Sequence, residues 1–93
     1  MIRSWASGPT RRFAEAGKNK FSGLDEEAAS ELIATLNAAT SLGDLSPLKS
    51  VGLHKLMGDR KEQWAMTING RWRLCFRFEE GDAWDVEIMD YHL

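Results

Sequence analysis

The stretch WAMTINGRWRLCFRF, residues 64–78, constrains the fold of this chain more than any other. Apolar residues alternate on both sides of Asn69-Gly70, the strongest short signal for a β-hairpin. Trp64, Met66 and Ile68 share one side of the first run. Trp72, Leu74, Phe76 and Phe78 share one side of the second. The turn-like EEGD follows, and AWDVEIM alternates again with Trp84, Val86 and Ile88 together. LHKLM, just upstream, fits a further short strand. The C-terminal half therefore reads as an antiparallel meander with one apolar face that must be covered.

The N-terminal half supplies the cover. PTRRFAEAG reads as a short helix, with Pro9 in its first turn and Gly17 at its end. FSGLDEEAASELIATLNAAT is a longer one. Ser22 or Asp25 can cap it, and Asp25, Glu26 and Glu27 suit the positive end of its dipole. Leu32, Ile33 and Leu36, with Ala28, Ala29 and Ala39, form an apolar stripe rich in alanine, which lets the helix lie close to a sheet. Ile2 to Trp5 fits a short strand, and SLGDLSPLKSVG a loop. Two N-terminal helices followed by a small antiparallel sheet make the class α+β. At 93 residues, residues 1–93 are expected to form a single domain.

Composition narrows the function classes. The net charge of −2 comes from blocks of +4 (residues 1–22), −5 (23–47), +5 (48–78) and −6 (79–93). A weakly acidic total argues against broad nucleic-acid binding, while the basic block keeps local anion binding open. Blocks of alternating sign also suit pairing across the fold, and charge alone favours that pairing. One cysteine, Cys75, excludes an internal disulfide and a cysteine-rich metal site. No apolar run is long enough to span a membrane, and the N-terminus lacks the apolar core of a secretory signal, so the expected location is cytoplasmic, with no membrane partner.

Chemistry concentrates in a few places. Arg71, Arg73, Cys75 and Arg77 fall opposite the aromatics of their strand, side chains two apart being roughly 6.5 Å apart. Guanidinium groups in such a row suit phosphate. A solvated face balanced by Asp85 and Glu87 is the plainer reading for Arg71 and Arg77. Arg60 and Lys61 follow the turn at Gly58-Asp59 and could face an anion. Asp90, Tyr91 and His92 offer an acid, a phenol and an imidazole able to move protons; a frayed terminus is the alternative. His54, on a probable strand, suits a surface or packing role. No metal-ligand spacing stands out. The tryptophans at 64, 72 and 84 fall on the apolar parity of their strands.

Taken in order, MIRSW, LNAATSLGDL, LHKLMGDR, WAMTINGRWRLCFRF and GDAWDVEIMDYH resemble the HigB toxins, within the RelE-like superfamily of type II toxin–antitoxin systems. The resemblance covers essentially the whole chain. It implies the RelE-like toxin fold and an endoribonuclease that cuts mRNA in the ribosomal A site without metal or other cofactor. It implies a HigA-like helix-turn-helix antitoxin, with operator DNA reached only through that antitoxin, and the ribosome and mRNA as further partners. By resemblance, His92 transfers a proton, Arg73 stabilises the phosphorane, Tyr91 holds or stacks the base, and Asp90 orients its neighbours or contacts the nucleotide. The familiar L-K-G-D-R motif carries a lysine where this chain has Met57, so Lys55 or Lys61 is the candidate replacement, beside Arg60 and Arg71 as RNA-binding or supporting groups. A toxin-fold protein with little cleavage, acting through antitoxin binding and operon regulation, is the competing reading.

Overall fold

In the computed structural model, residues 1–45, 52–60 and 62–90 are described, apart from the side chain of Arg60. Helix α1 spans Gly8–Ala16 and α2 spans Glu26–Ala38. Strands β1 (His54–Lys55), β2 (Trp64–Asn69), β3 (Trp72–Glu79) and β4 (Asp82–Asp90) follow in one antiparallel sheet ordered as in sequence. This is the expected α+β layering.

Each helix begins and ends for a local reason. Ser7 caps α1, its hydroxyl accepting from the Thr10 amide at 3.3 Å, and Gly17 closes it in the left-handed region at φ 70°. Asp25 caps α2, accepting from the Ala28 amide at 3.1 Å. The α2 stripe buries Ala29, Leu32 and Leu36, while Ile33 is half-buried against the same core. These side chains meet Met66, Trp72, Leu74, Phe76, Val86 and Ile88 from one sheet face. The helices therefore cover one face of the sheet and leave the other uncovered by them.

Two features depart from the sequence reading. The first hairpin turns on Gly70 and Arg71 rather than Asn69-Gly70, since Asn69 pairs with Trp72. Gly70 takes φ 50° in the first central position, as a glycine-first turn requires. Asn69 is used elsewhere: its Nδ2 donates to the Gly23 carbonyl at 3.0 Å and its Oδ1 accepts from the Asp25 amide at 2.9 Å. The hairpin is thereby tied to the start of α2. The second departure lies in β4. Pairing shifts between Cys75 and Arg77, and Asp85 sits at φ 53°. This bulge puts one extra residue in β4. Trp84 then pairs with Arg77, on the face away from the helices, while Val86 and Ile88 stay in the core. The expected core role of Trp84 is overturned.

The outer edge of β4 is covered by the start of the chain. Ile2 pairs in parallel with Ala83 and Trp5 with Val86. The Met1 amino group and Arg3 meet Asp82 at 3.2 and 3.1 Å. Buried Thr10 completes the edge, its hydroxyl accepting from the Ile88 amide at 3.0 Å. No helix among the described residues is long and apolar enough to cross a membrane.

Candidate active site

Register sorts the site residues by face. On the face away from the helices, Thr67, Arg73 and Met89 form one row across β2, β3 and β4. The adjacent row runs His54, Ala65, Cys75, Glu87, and beyond it stand Arg77 and Trp84. Ala65 and Cys75 are buried yet stand apart from the helix-side core, which agrees with this placement.

Arg73 lies at the end of the sheet where β3 begins and β4 finishes. One guanidinium nitrogen donates to the Gly70 carbonyl at 2.7 Å and to the Trp72 carbonyl at 3.1 Å. The side chain is thus curled against the hairpin turn and held there by two backbone carbonyls. A guanidinium held this way adds little reorganisation cost when an anion approaches.

Asp90 pairs across from Trp72 at the same end of the sheet, but on the helix side, since Met89 shares the Arg73 face. Arg71 reaches it from the turn, Nε to carboxylate at 3.4 Å, while its guanidinium lies 5.2 Å from the centroid of the Trp72 ring. Arg71, Arg73 and Asp90 are therefore gathered at one end of the sheet, split between its two sides.

Arg77 belongs to neither group. It is held by Asp85 at 2.8 Å and Glu79 at 2.7 Å, and hydrogen bonds to these two carboxylates raise its affinity for its proton. This is the plain pairing of charge blocks, as are the contacts of Asp82 with Arg3 and of Asp90 with Arg71.

The remaining candidates are more scattered. Lys55 pairs with Trp64, in the row of Phe76, on the opposite face from Arg73. It stands four residues along the strand direction from the Trp72 end, roughly 13 Å. Its neighbour His54 occupies the Arg73 face instead, exposed, with Nδ1 2.9 Å from the Gly52 carbonyl. That placement was not legible in the sequence, because it depends on the register of a two-residue strand. Met57 is 88% exposed and, with Lys55, Leu56, Gly58 and Glu62, lines an open depression of about 560 Å³. Arg60 closes the short helical turn Gly58–Arg60. Lys61, Tyr91 and His92 lie outside the described residues. Among the described residues, no cluster of three His, Cys, Asp or Glu side chains could hold a metal ion.

The family model described as the RelE-like toxin of the type II toxin–antitoxin system HigB matches residues 4–92. The chain is 34% identical over 68 residues to the Endoribonuclease HigB of Proteus vulgaris, covering 73% of each chain. The match spans both helices and all four strands, including the sheet end that carries Arg71, Arg73 and Asp90. The chain belongs to the HigB-like toxin family of type II toxin–antitoxin systems.

Proposed function

We propose that this toxin is an endoribonuclease that cuts mRNA on the ribosome, within the A site, and so arrests translation. The single observation that carries the reading is Arg73, whose guanidinium is fixed by the Gly70 and Trp72 carbonyls beside the end of β4, the strand that leads in sequence to Tyr91 and His92. The relative named an endoribonuclease supports the reaction class.

In this reading the 2′-hydroxyl of the scissile nucleotide attacks the adjacent phosphate, and the 5′-oxygen leaves. Arg73 stabilises the charge that builds on the pentacoordinate phosphate. His92 donates the proton that the departing 5′-oxygen needs. His54, on the Arg73 face, is the imidazole available to accept the proton of the attacking hydroxyl. Tyr91 stacks on or holds the base. Asp90 orients its neighbours, and Arg60 and Lys61 contribute positive charge toward the RNA, whereas Lys55 stands on the opposite face from Arg73. The cycle uses no metal. The antitoxin is a HigA-like helix-turn-helix protein, through which the complex reaches its operator DNA. The protein works in the cytoplasm.

One observation favours a second reading. Position 57 presents an exposed thioether where the family motif carries a lysine. Methionine neither binds phosphate nor moves a proton, so a toxin with little cleavage, acting through its antitoxin, follows if that lysine has no substitute.

Primer extension on a reporter mRNA in a reconstituted translation system separates the two. Ribosome-dependent cuts that disappear in Arg73→Ala and His92→Ala support the nuclease. Folded wild type that leaves the message intact sinks it.

A further inference from the structure

Arg71 reads from the sequence as one more basic group for RNA, yet its surroundings describe a different task. Its Nε meets the Asp90 carboxylate at 3.4 Å, and its guanidinium lies 5.2 Å from the Trp72 ring centroid. The Trp72 ring is itself fixed. It is 8% exposed, its indole N–H donates to the Ser22 carbonyl at 2.9 Å, and Phe21 meets it edge-on at 5.3 Å between centroids. The turn from which Arg71 springs is anchored by Asn69 to Gly23 and Asp25, and by Arg73 to the Gly70 and Trp72 carbonyls.

A guanidinium lying over an indole face gains from the ring quadrupole and gives up side-chain freedom. Its remaining edge then points in a defined direction, here to the last residue of β4. Arg71 and Asp90 lie toward the helix side of the sheet, whereas Arg73 occupies the other face. A carboxylate already opposes the Arg71 charge, which weakens it as a phosphate ligand.

We propose that Arg71 is a positioning residue, holding Asp90 at the end of β4 through a clamp built on Trp72. This rests on the nuclease reading for its consequence, though the clamp itself does not.

The test uses the purified full chain. In the free protein, rotation of the Arg71 guanidinium about its Nε–Cζ bond is followed by NMR. It is at least fivefold slower in wild type than in Asp90→Asn if the clamp stands. Equal rates overturn it, whether or not the protein cuts RNA. On ribosomes, single-turnover cleavage is then measured for wild type, Arg71→Ala, Arg71→Lys, Asp90→Asn and the Arg71→Ala/Asp90→Asn double variant, with thermal melts confirming folding. Arg71→Ala is expected to lower the maximal rate about tenfold while leaving the half-saturating ribosome concentration unchanged. Arg71→Lys, which keeps the charge opposite Asp90, should recover most of that loss. The double variant should be no slower than Asp90→Asn alone. Losses that multiply, together with a salt dependence weakened by about 0.7 in log–log slope, would instead make Arg71 a direct phosphate ligand and refute the proposal. Intact message with wild type, beside slowed guanidinium rotation, would reject the nuclease reading and leave the clamp standing.

Discussion

Trp84 stands directly across from Arg77 on the sheet face away from the helices, one residue before the bulge that returns Val86 to the core. Two tryptophans on adjacent strands therefore have opposite surroundings. Trp72 is packed under Phe21 and hydrogen-bonded to Ser22; Trp84 is half-exposed and apart from the core cluster. Trp72→Ala should cost about 3–5 kcal/mol, the range for emptying a buried aromatic site. Trp84→Ala should cost about 1 kcal/mol. Denaturant unfolding of both variants checks this, and equal losses would mean that the bulge is misplaced.

Gly81 joins the β3–β4 turn to the chain leaving α2. It adopts φ 82°, and a Cβ there would come within 3.2 Å of the Thr40 carbonyl oxygen. Gly81→Ala should lower stability by at least about 1 kcal/mol through strain and crowding together. Gly17→Ala, where the same backbone region is used but nothing lies within 4 Å, supplies the comparison, and its smaller cost isolates the crowding.

Asp44 accepts from the Thr40 amide at 2.8 Å, the Thr40 hydroxyl at 3.2 Å and the Ser41 amide at 3.3 Å. These bonds, the Thr40 amide foremost, hold its carboxyl below the ordinary aspartate value. A depressed folded-state value stabilises the fold above the unfolded aspartate pKa of about 3.9, and that contribution fades as pH falls through the folded value. Asp44→Asn should therefore show a shallower loss of melting temperature than wild type as pH falls below about 4. Parallel curves would assign the acid sensitivity to other carboxylates.

At the proposed site, Arg73→Ala should reduce ribosome-dependent cleavage about 100- to 1,000-fold, in line with removal of a charge-stabilising donor. Arg73→Lys should recover little, because an ammonium cannot bridge both turn carbonyls while presenting a planar fork to phosphate. Full activity in the lysine variant would show that charge alone suffices.

Much of this architecture is written in local sequence. The Asp25 cap, the Ala29-Leu32-Leu36 stripe and the Gly17 stop follow from capping chemistry and helical spacing. The hairpins follow from alternation, and Arg73 falls on the open face by simple parity. The bulge at Asp85 does not. AWDVEIM alternates without a break, and the positive φ falls on aspartate rather than glycine, so nothing local marks the slip. The Arg71–Asp90 contact is equally hidden, because a turn residue has no strand parity from which to infer its reach. His54 required the tertiary pairing of a short edge strand. Tyr91 and His92 have their roles by family resemblance, and Lys61 its candidacy from the turn at Gly58-Asp59 and the departure at Met57.

The parallel bridges of Ile2 with Ala83 and Trp5 with Val86 join segments that lie at opposite ends of the chain. Closing a loop of that length is entropically the most demanding contact in the fold, and it cannot form until β4 exists. While the chain is being made, its first residues have no strand to dock on, and Thr10 has no Ile88 amide to receive. Both the edge seal and the sheet end bearing Arg71, Arg73 and Asp90 depend on the same late strand. A nascent or prematurely truncated chain thus keeps an open sheet edge and lacks the strand end that carries Asp90.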